Sequence, residues 1–136
     1  MTLFLLDTNI CIFIMNSRPL RVRERMEAAT RAGHRLAVSS ITLHELQFGV
    51  YNSAKPQENG ERLRAFAAGL SVLPFEENAA KQAAIHRTAL KKIGQLIGPY
   101  DLLIAGHALA LEAVLVTNNV GEFGRIEELK VEDWAE

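Results

Sequence analysis

Three carboxylates and two amides stand at positions that a parallel β-sheet would bring to one edge. Asp7 follows the first short apolar run of the chain, and Asn118 with Asn119 follows the last one. Glu45 lies one turn into the helix predicted after the second run, and Asp101 opens a later helix. Ligands of open parallel sheets bind beyond the carboxyl ends of the strands. Acids gathered there repel one another unless a cation neutralises them, and an all-oxygen site favours Mg²⁺ or Mn²⁺ over zinc.

Each of these residues also has a purely structural interpretation. Asp7 can cap the helix that begins near Ile10, because aspartate is favoured just before a helix. Glu45 stands three residues after Thr42, which is the spacing of a capping box. The negative charge of Asp101 can be stabilised by the positive end of the dipole of its own helix. The two asparagines can be turn residues. Both interpretations stay open for each residue alone, whereas three carboxylates with an amide at one edge favour a cation site.

The elements that must position these residues follow from apolar runs that alternate with helical periodicity. Short apolar runs predict strands buried on both faces, at 3–6, 36–38, 72–73 and 113–116. Helical patterns cover 10–15, 19–32, 42–51, 63–70, 79–93 and 101–111. Segment 52–60 is polar, contains Pro56 and is predicted as a loop. This alternation predicts an α/β fold with a central, mainly parallel sheet covered on both faces.

Length and composition are those of one globular domain. The chain has 136 residues, of which 49% are hydrophobic and 23% charged, and a chain of this size needs no disulfide to fold. No linker or repeat divides it, so residues 1–136 are predicted as a single domain. Its one cysteine, Cys11, fits a reducing cytoplasm and is predicted in the core. No apolar stretch is long enough for a membrane span, and Asp7 ends the apolar start too early for a signal peptide.

Charge is distributed unevenly along the chain, although the net charge is −1. Residues 1–100 hold 13 basic and 8 acidic side chains, whereas residues 101–136 hold 2 and 8. Arg18, Arg21 and Arg25 fall on one stripe at helical spacing. That stripe is consistent either with a solvated helix face or with a rim that contacts phosphates.

Several other chemistries lack the residues they need. No glycine-rich phosphate motif and no nucleophile elbow is present, which argues against nucleotide-binding and α/β-hydrolase sites. His107 stands six residues after Asp101, so it points away from that acid on a helix and is predicted to pack. A phosphotransfer enzyme that uses Asp7 as its nucleophile is an alternative. It is disfavoured because Asn9 stands where haloacid-dehalogenase-like phosphatases have a second aspartate.

A family resemblance extends along nearly the whole chain. The segments that carry it, in this order and spacing, are Leu5–Ile10, Ser39–Leu46, Ile97–Asp101 with Ile104–Ala108, and Val116–Asn119 with Glu122–Phe123. In these segments the chain resembles PIN-domain ribonucleases of the VapC toxin type. The resemblance implies a three-layer α/β/α sandwich with an acidic, metal-binding pocket.

The resemblance also implies the chemistry of that pocket, because family members are Mg²⁺- or Mn²⁺-dependent endoribonucleases. By position, Asp7, Glu45 and Asp101 match the three most constant acids of the family. Asp7 and Asp101 would hold the metal, and Glu45 would complete its shell or take a proton from the attacking water. Asn119 stands near the place of a fourth acid and is followed by Glu122, which leaves open whether one metal or two bind. In addition, Thr117 is expected to orient a carboxylate or a water.

RNA is the substrate that the resemblance implies, at a defined site in transfer or ribosomal RNA. Arg18, Arg21 and Arg25 are the expected contacts to its backbone. Tyr51 and Tyr100 are the few candidates for base stacking, with packing as the alternative role of both.

A protein partner is implied as well. Family members are inhibited by a small cognate antitoxin of the VapB type, and we expect a homodimer of this chain within a larger hetero-oligomer. The antitoxin would insert into an apolar groove between the early helices. The residues expected to contribute to that groove are Ile12, Phe13, Leu46 and Val50. A non-catalytic PIN-like binding module is the remaining alternative.

Overall fold

Five parallel strands form the central sheet of the computed structural model, which describes all 136 residues. The strands are β1 (Leu3–Leu6), β2 (Arg35–Ser39), β3 (Ser71–Leu73), β4 (Val114–Val116) and β5 (Val131–Glu132). Their order across the sheet is β3-β2-β1-β4-β5, and every neighbouring pair is parallel. Because central β1 pairs with both β2 and β4, residues that follow these strands meet at one edge of the sheet.

Seven helices connect and cover the strands. They are α1 (Thr8–Asn16), α2 (Leu20–Arg31), α3 (Ser40–Tyr51), α4 (Pro56–Ala68), α5 (Glu77–Lys92), α6 (Pro99–Leu111) and α7 (Val120–Phe123). Successive strand residues face opposite sides, so Phe4 and Leu6 pack with α1 to α4 while Leu5 packs with α5 to α7. The predicted three-layer α/β/α sandwich is confirmed. Cys11 is fully buried in the first of the two cores, as predicted.

Three element predictions are wrong or incomplete. Segment 52–60 is not one loop, because α4 begins at Pro56, and proline suits the first turn of a helix. Arg18 precedes α2, so Arg18, Arg21 and Arg25 do not form one helical stripe. The sequence pattern also fails to predict α7 and β5. Both are short, and β5 depends on pairing with β4 rather than on an apolar run of its own.

The helix that carries Asp101 packs unusually close to its neighbour α5. A Cβ atom on Gly106 of α6 would lie 2.6 Å from the backbone nitrogen of Ala83 on α5. Only glycine permits this approach, since real Cβ atoms do not come so near to backbone atoms. Close packing against α5 therefore holds α6, and with it Asp101, in place over the sheet.

Candidate active site

The carboxylate of Asp7 lies at the carboxyl edge of the sheet, between β1 and α1. The backbone N–H of Asp7 donates to the carbonyl of Val116, at the end of β4, at 3.0 Å. Its Oδ1 accepts from the backbone N–H of Ile10 at 2.9 Å, so Asp7 does cap α1. Only 4% of the residue is exposed. The structural role and a place in the site are compatible, since the cap uses Oδ1 alone.

Glu45 approaches the same edge from α3. The Thr8 hydroxyl donates to its Oε1 at 2.7 Å. The capping box suggested by the spacing from Thr42 is absent, because Ser39 caps α3 and its hydroxyl accepts a backbone N–H of the first turn. Glu45 therefore has no capping role, and it lies near enough to Asp7 for its charge to raise the pKa of Asp7.

Asp101 lies in the first turn of α6, beside Glu122 of α7. Oε1 of Glu122 accepts from the backbone N–H of Gly98 at 2.9 Å, and its Oε2 accepts from the side-chain amide of Asn119. The carboxyl groups of Asp101 and Glu122 are close enough for the charge of Glu122 to raise the pKa of Asp101. Glu122 is therefore fixed against Asp101 as a fourth carboxylate of the site.

Thr117 and Asn119 hold the carboxylates rather than add a charge. Thr117 follows β4 and is fully buried. Its hydroxyl accepts the backbone N–H of Asn119 at 3.0 Å, and it lies near enough to Asp7 to lower the pKa of that carboxyl. The Asn119 side chain donates to Glu122 and so orients it. Asn118 is exposed beside them.

Burial is the main influence on the protonation of Asp7. It raises the pKa of Asp7 to about 6, although hydrogen bonds from Thr117 and Ile10 oppose the shift. The charges of Glu45 and Asp133 raise it further. Asp133 follows β5 and is near the site only because β5 pairs with β4, so no sequence signal marks it.

The pKa values of Asp101 and Glu122 are shifted in opposite directions. Burial raises the pKa of Asp101 to about 6, and the charges of Glu122, Asp7 and Glu45 contribute in that order. The pKa of Glu122 is lowered, chiefly because the backbone N–H of Gly98 stabilises its charged form. In the metal-free protein, Asp101 therefore binds a proton more readily than Glu122 does, and Glu122 stays ionised.

These donors suit a hard divalent cation. No group of three His, Cys, Asp or Glu side chains forms a ready-made coordination shell. Mg²⁺ commonly binds through one or two carboxylates and keeps several of its waters, so Asp7 and Asp101 would be the donors in such a site. Their raised pKa values show carboxylates held in surroundings that disfavour negative charge, and a cation would relieve this.

A buried hydrogen bond joins the two helices that carry Glu45 and Asp101. Nδ1 of His107, on α6, lies 2.8 Å from the hydroxyl of Ser39, the N-cap of α3. The His107 ring packs edge-on against Phe75, and burial lowers the pKa of His107. His107 is packed, as its helical spacing predicts, and it also fixes α6 relative to α3.

We expect His107→Phe to weaken Mg²⁺ binding at the acids, because the variant keeps an aromatic ring but lacks the hydrogen bond to Ser39. The free energy of unfolding should fall by about 1 kcal/mol, and the Mg²⁺ concentration for half-maximal RNA cleavage should rise several-fold. Thermal melts and a metal titration measure the two effects. His86→Phe, at a partly exposed position of α5, is the control. An unchanged titration for His107→Phe would show that this bond does not set the spacing of the acids.

None of the three arginines expected to contact RNA forms an ion pair with Asp7, Glu45 or Asp101. Arg25 pairs with Glu132 at 3.5 Å, and its guanidinium lies 5.8 Å from the centre of the Trp134 ring. Arg18 and Arg21 are exposed and form no ion pair with an acid of the site. Their contact with RNA stays a prediction.

A groove of about 270 Å³ opens between α1, α3 and α4. Its wall includes Ile12, Leu46 and Val50, and it reaches both Glu45 and Arg62. The fourth residue expected there, Phe13, packs against the core instead. An apolar groove is therefore present where it was expected, with a carboxylate of the site in its wall.

Comparison with known proteins defines the class. The PIN domain profile matches residues 4–129, and the chain belongs to the PIN-domain family. Within that family, relatives of the chain carry the name VapC. It is 42% identical to the "tRNA(fMet)-specific endonuclease VapC" of Salmonella typhimurium, over 96% of this chain and 97% of the relative. It is 40% identical to "Ribonuclease VapC2" of Rickettsia felis, over 97% and 98%.

Solved structures agree with this assignment. VapBC2 from Rickettsia felis, bound to a promoter DNA fragment, matches with a TM-score of 0.93 and 39% identity, over 98% of this chain and 99% of that one. DNA-bound VapBC from Salmonella typhimurium matches with a TM-score of 0.91 and 42% identity, over the same shares. The family resemblance seen in the sequence is confirmed. None of the helices has the length and apolar character needed to cross a membrane.

Proposed function

We propose that the chain is a Mg²⁺- or Mn²⁺-dependent endoribonuclease, the toxin of a toxin–antitoxin pair. The observation that carries this proposal is the convergence of Asp7, Glu45 and Asp101 at the carboxyl edge of a PIN-domain sheet. Carboxylates placed in this way relieve their repulsion by sharing a cation. The names of the relatives, ribonuclease and tRNA(fMet)-specific endonuclease, support the same class of reaction.

In this mechanism Asp7 and Asp101 would hold the metal, directly or through water. When bound there, a divalent cation would supply a water of lowered pKa and positive charge near the phosphate. Glu45, oriented by the Thr8 hydroxyl, takes the proton of the attacking water. Glu122 adds a negative charge beside Asp101 and is itself held by the backbone N–H of Gly98 and the side-chain amide of Asn119.

The substrate we propose is a transfer RNA. Relatives in Salmonella typhimurium and Shigella flexneri, 42% and 39% identical to this chain, are named tRNA(fMet)-specific endonucleases. Proteins recognise RNA sequence mainly in single-stranded loops, where the bases are accessible. The anticodon region of the initiator transfer RNA is therefore the first site to examine.

The inhibitor we propose is a small VapB-type antitoxin, bound to a homodimer of this chain in a larger complex. The two solved structures described above are VapBC assemblies. The groove between α1, α3 and α4 presents Ile12, Leu46 and Val50 to an apolar segment. Because Glu45 lies in the same groove, an occupant would cover an acid of the site and stop cleavage.

Cleavage of RNA by the purified chain tests the function. Total RNA is incubated with Mg²⁺ or Mn²⁺, with a chelator as control, and the cut ends are mapped by sequencing. We expect cuts at few sites, abolished by the chelator and absent with Asp101→Asn. Cutting that survives chelation would overturn the metal dependence. A complete lack of cutting would favour a non-catalytic binding module.

A metal titration asks whether Glu122 belongs to the site. Glu122→Gln should raise the Mg²⁺ concentration for half-maximal cleavage several-fold, because it removes the charge beside Asp101. Asn119→Asp replaces a donor to Glu122 by a like charge, so it should lower the requirement only if a second cation binds there. If the Mg²⁺ concentration for half-maximal cleavage is unchanged in both variants, Asp7, Glu45 and Asp101 form the metal site without Glu122 or Asn119.

A further inference from the structure

Two exposed aromatic rings meet beside the acids. His44 immediately precedes Glu45 on α3, and Tyr100 immediately precedes Asp101 on α6. Their ring centroids are 5.8 Å apart, with 46° between the ring planes. Tyr100 is 48% exposed, and His44 is also exposed. We refer to these two side chains as the aromatic platform.

Core packing does not account for the aromatic platform. Neither His44 nor Tyr100 belongs to either hydrophobic core, unlike the buried aromatics Phe4, Phe123 and Trp134. The two rings come from different helices and contact each other while they keep much of their surface open. A ring pair of this kind is available to an aromatic ligand.

The position of the platform follows from helix geometry. His44 and Tyr100 are the sequence neighbours of Glu45 and Asp101, and adjacent residues on a helix project about 100° apart, so each ring flanks an acid on its own helix. The charge of Glu45 is felt at Asp101, which shows that the two helices bring these acids near each other. The platform therefore lies at the junction of α3 and α6, on the same turns of these helices as Glu45 and Asp101.

We propose that this platform stacks a nucleobase of the RNA next to the cleaved phosphate, an inference that rests on the proposed ribonuclease function. A phosphate held at the acids places the bases of its neighbouring nucleotides at the rim of the pocket. Proteins bind unstacked RNA bases on aromatic rings, and such stacking tolerates every base. Because the rings of His44 and Tyr100 already contact each other, the base stacks on their outer surface and not between them.

Binding to a defined probe tests the platform without interference from cleavage. The parent protein is Asp7→Asn in Mg²⁺, and the probes are fluorescent oligoadenylate and the same chain with abasic sites. Anisotropy should show that Tyr100→Ala raises the Kd for oligoadenylate about 10-fold. Tyr100→Phe should bind as the parent does, because it keeps the ring. His44→Ala should also weaken binding, since it removes the other half of the platform.

Two controls make this result specific. Ile85→Ala removes an apolar side chain on α5 that is 48% exposed, the same fraction as Tyr100, and should leave the Kd unchanged. The abasic probe should bind more weakly to the parent and respond little to Tyr100→Ala, because it has no base to stack. Equal affinity of parent and Tyr100→Ala for oligoadenylate would overturn the platform.

Exposed aromatic rings can also form a protein interface. Measuring the oligomeric state of Tyr100 and Phe48 variants distinguishes that role from base stacking. Phe48 lies one turn beyond His44 on α3 and is 62% exposed. Light scattering should give the same oligomeric state for the parent, Tyr100→Ala and Phe48→Ala. A change of oligomeric state that accompanies the loss of RNA binding would assign the rings to a protein interface and overturn the proposal. If wild type cuts RNA but Tyr100→Ala binds oligoadenylate as tightly as the parent, only the proposed base stacking is wrong. If wild type cuts no RNA, the proposed ribonuclease function itself is wrong.

Discussion

Asp101→Asn is expected to abolish RNA cleavage and, at the same time, to raise the melting temperature of the metal-free protein. Burial and the charges of Glu122, Asp7 and Glu45 raise the pKa of Asp101 to about 6, so its ionised form destabilises the folded state at neutral pH. Asparagine has nearly the same shape, and its amide can donate to Glu122. The gain should be about 1 kcal/mol after allowance for solvent screening, or several degrees for a domain of this size.

Thermal melts in chelator and in excess Mg²⁺, together with the cleavage assay, measure these effects. Mg²⁺ should stabilise wild type by binding the folded state, and most of that stabilisation should be lost in Asp101→Asn. Glu77→Gln is a matched control, because Glu77 is an exposed acid in the first turn of α5. It should lower stability slightly, through the helix dipole alone. If Asp101→Asn behaves like this control and still responds to Mg²⁺, Asp101 is a helix-start residue and not a ligand.

Asp7→Asn is expected to remove a pH-dependent loss of stability from the metal-free protein. The pKa of Asp7 is about 6 in the folded state against 3.8 for its ordinary value, so the folded state binds the proton more tightly. Stability therefore falls as pH rises from about 4 to about 6 and stays lower above that range. The full difference is on the order of 2–3 kcal/mol, because Asp7 is almost completely buried. Asparagine still accepts the Ile10 N–H and remains a good N-cap.

Denaturant unfolding in chelator across this pH range measures the effect. Wild type and Asp7→Asn should have similar stability near pH 4 and separate as the pH rises, with the variant more stable. Added Mg²⁺ at neutral pH should narrow the difference, because it stabilises only wild type. Parallel curves for the two proteins across the range would show that the carboxylate of Asp7 is not destabilised in the folded state.

The architecture, and the edge of the sheet at which the acids meet, are predictable from the amino-acid sequence alone. Short apolar runs before Asp7 and Thr117 can be buried only as internal strands, and strands that alternate with helices form a parallel sheet. Parallel strands place the residues that follow them at one edge. The positions of Asp7, Glu45 and Asp101 were therefore predictable from local pattern and topology, as was the burial of Cys11.

The contacts that these acids make are visible only in the folded structure. Glu122 meets the backbone of Gly98 across 24 residues, and His107 meets Ser39 across 68. Asp133 acts on Asp7 only because two-residue β5 pairs with β4. Hydrophobic periodicity reports which face of an element is buried, but it does not report which distant residue lies opposite. Those contacts depend on how helices and strands pack against one another, which local sequence does not encode.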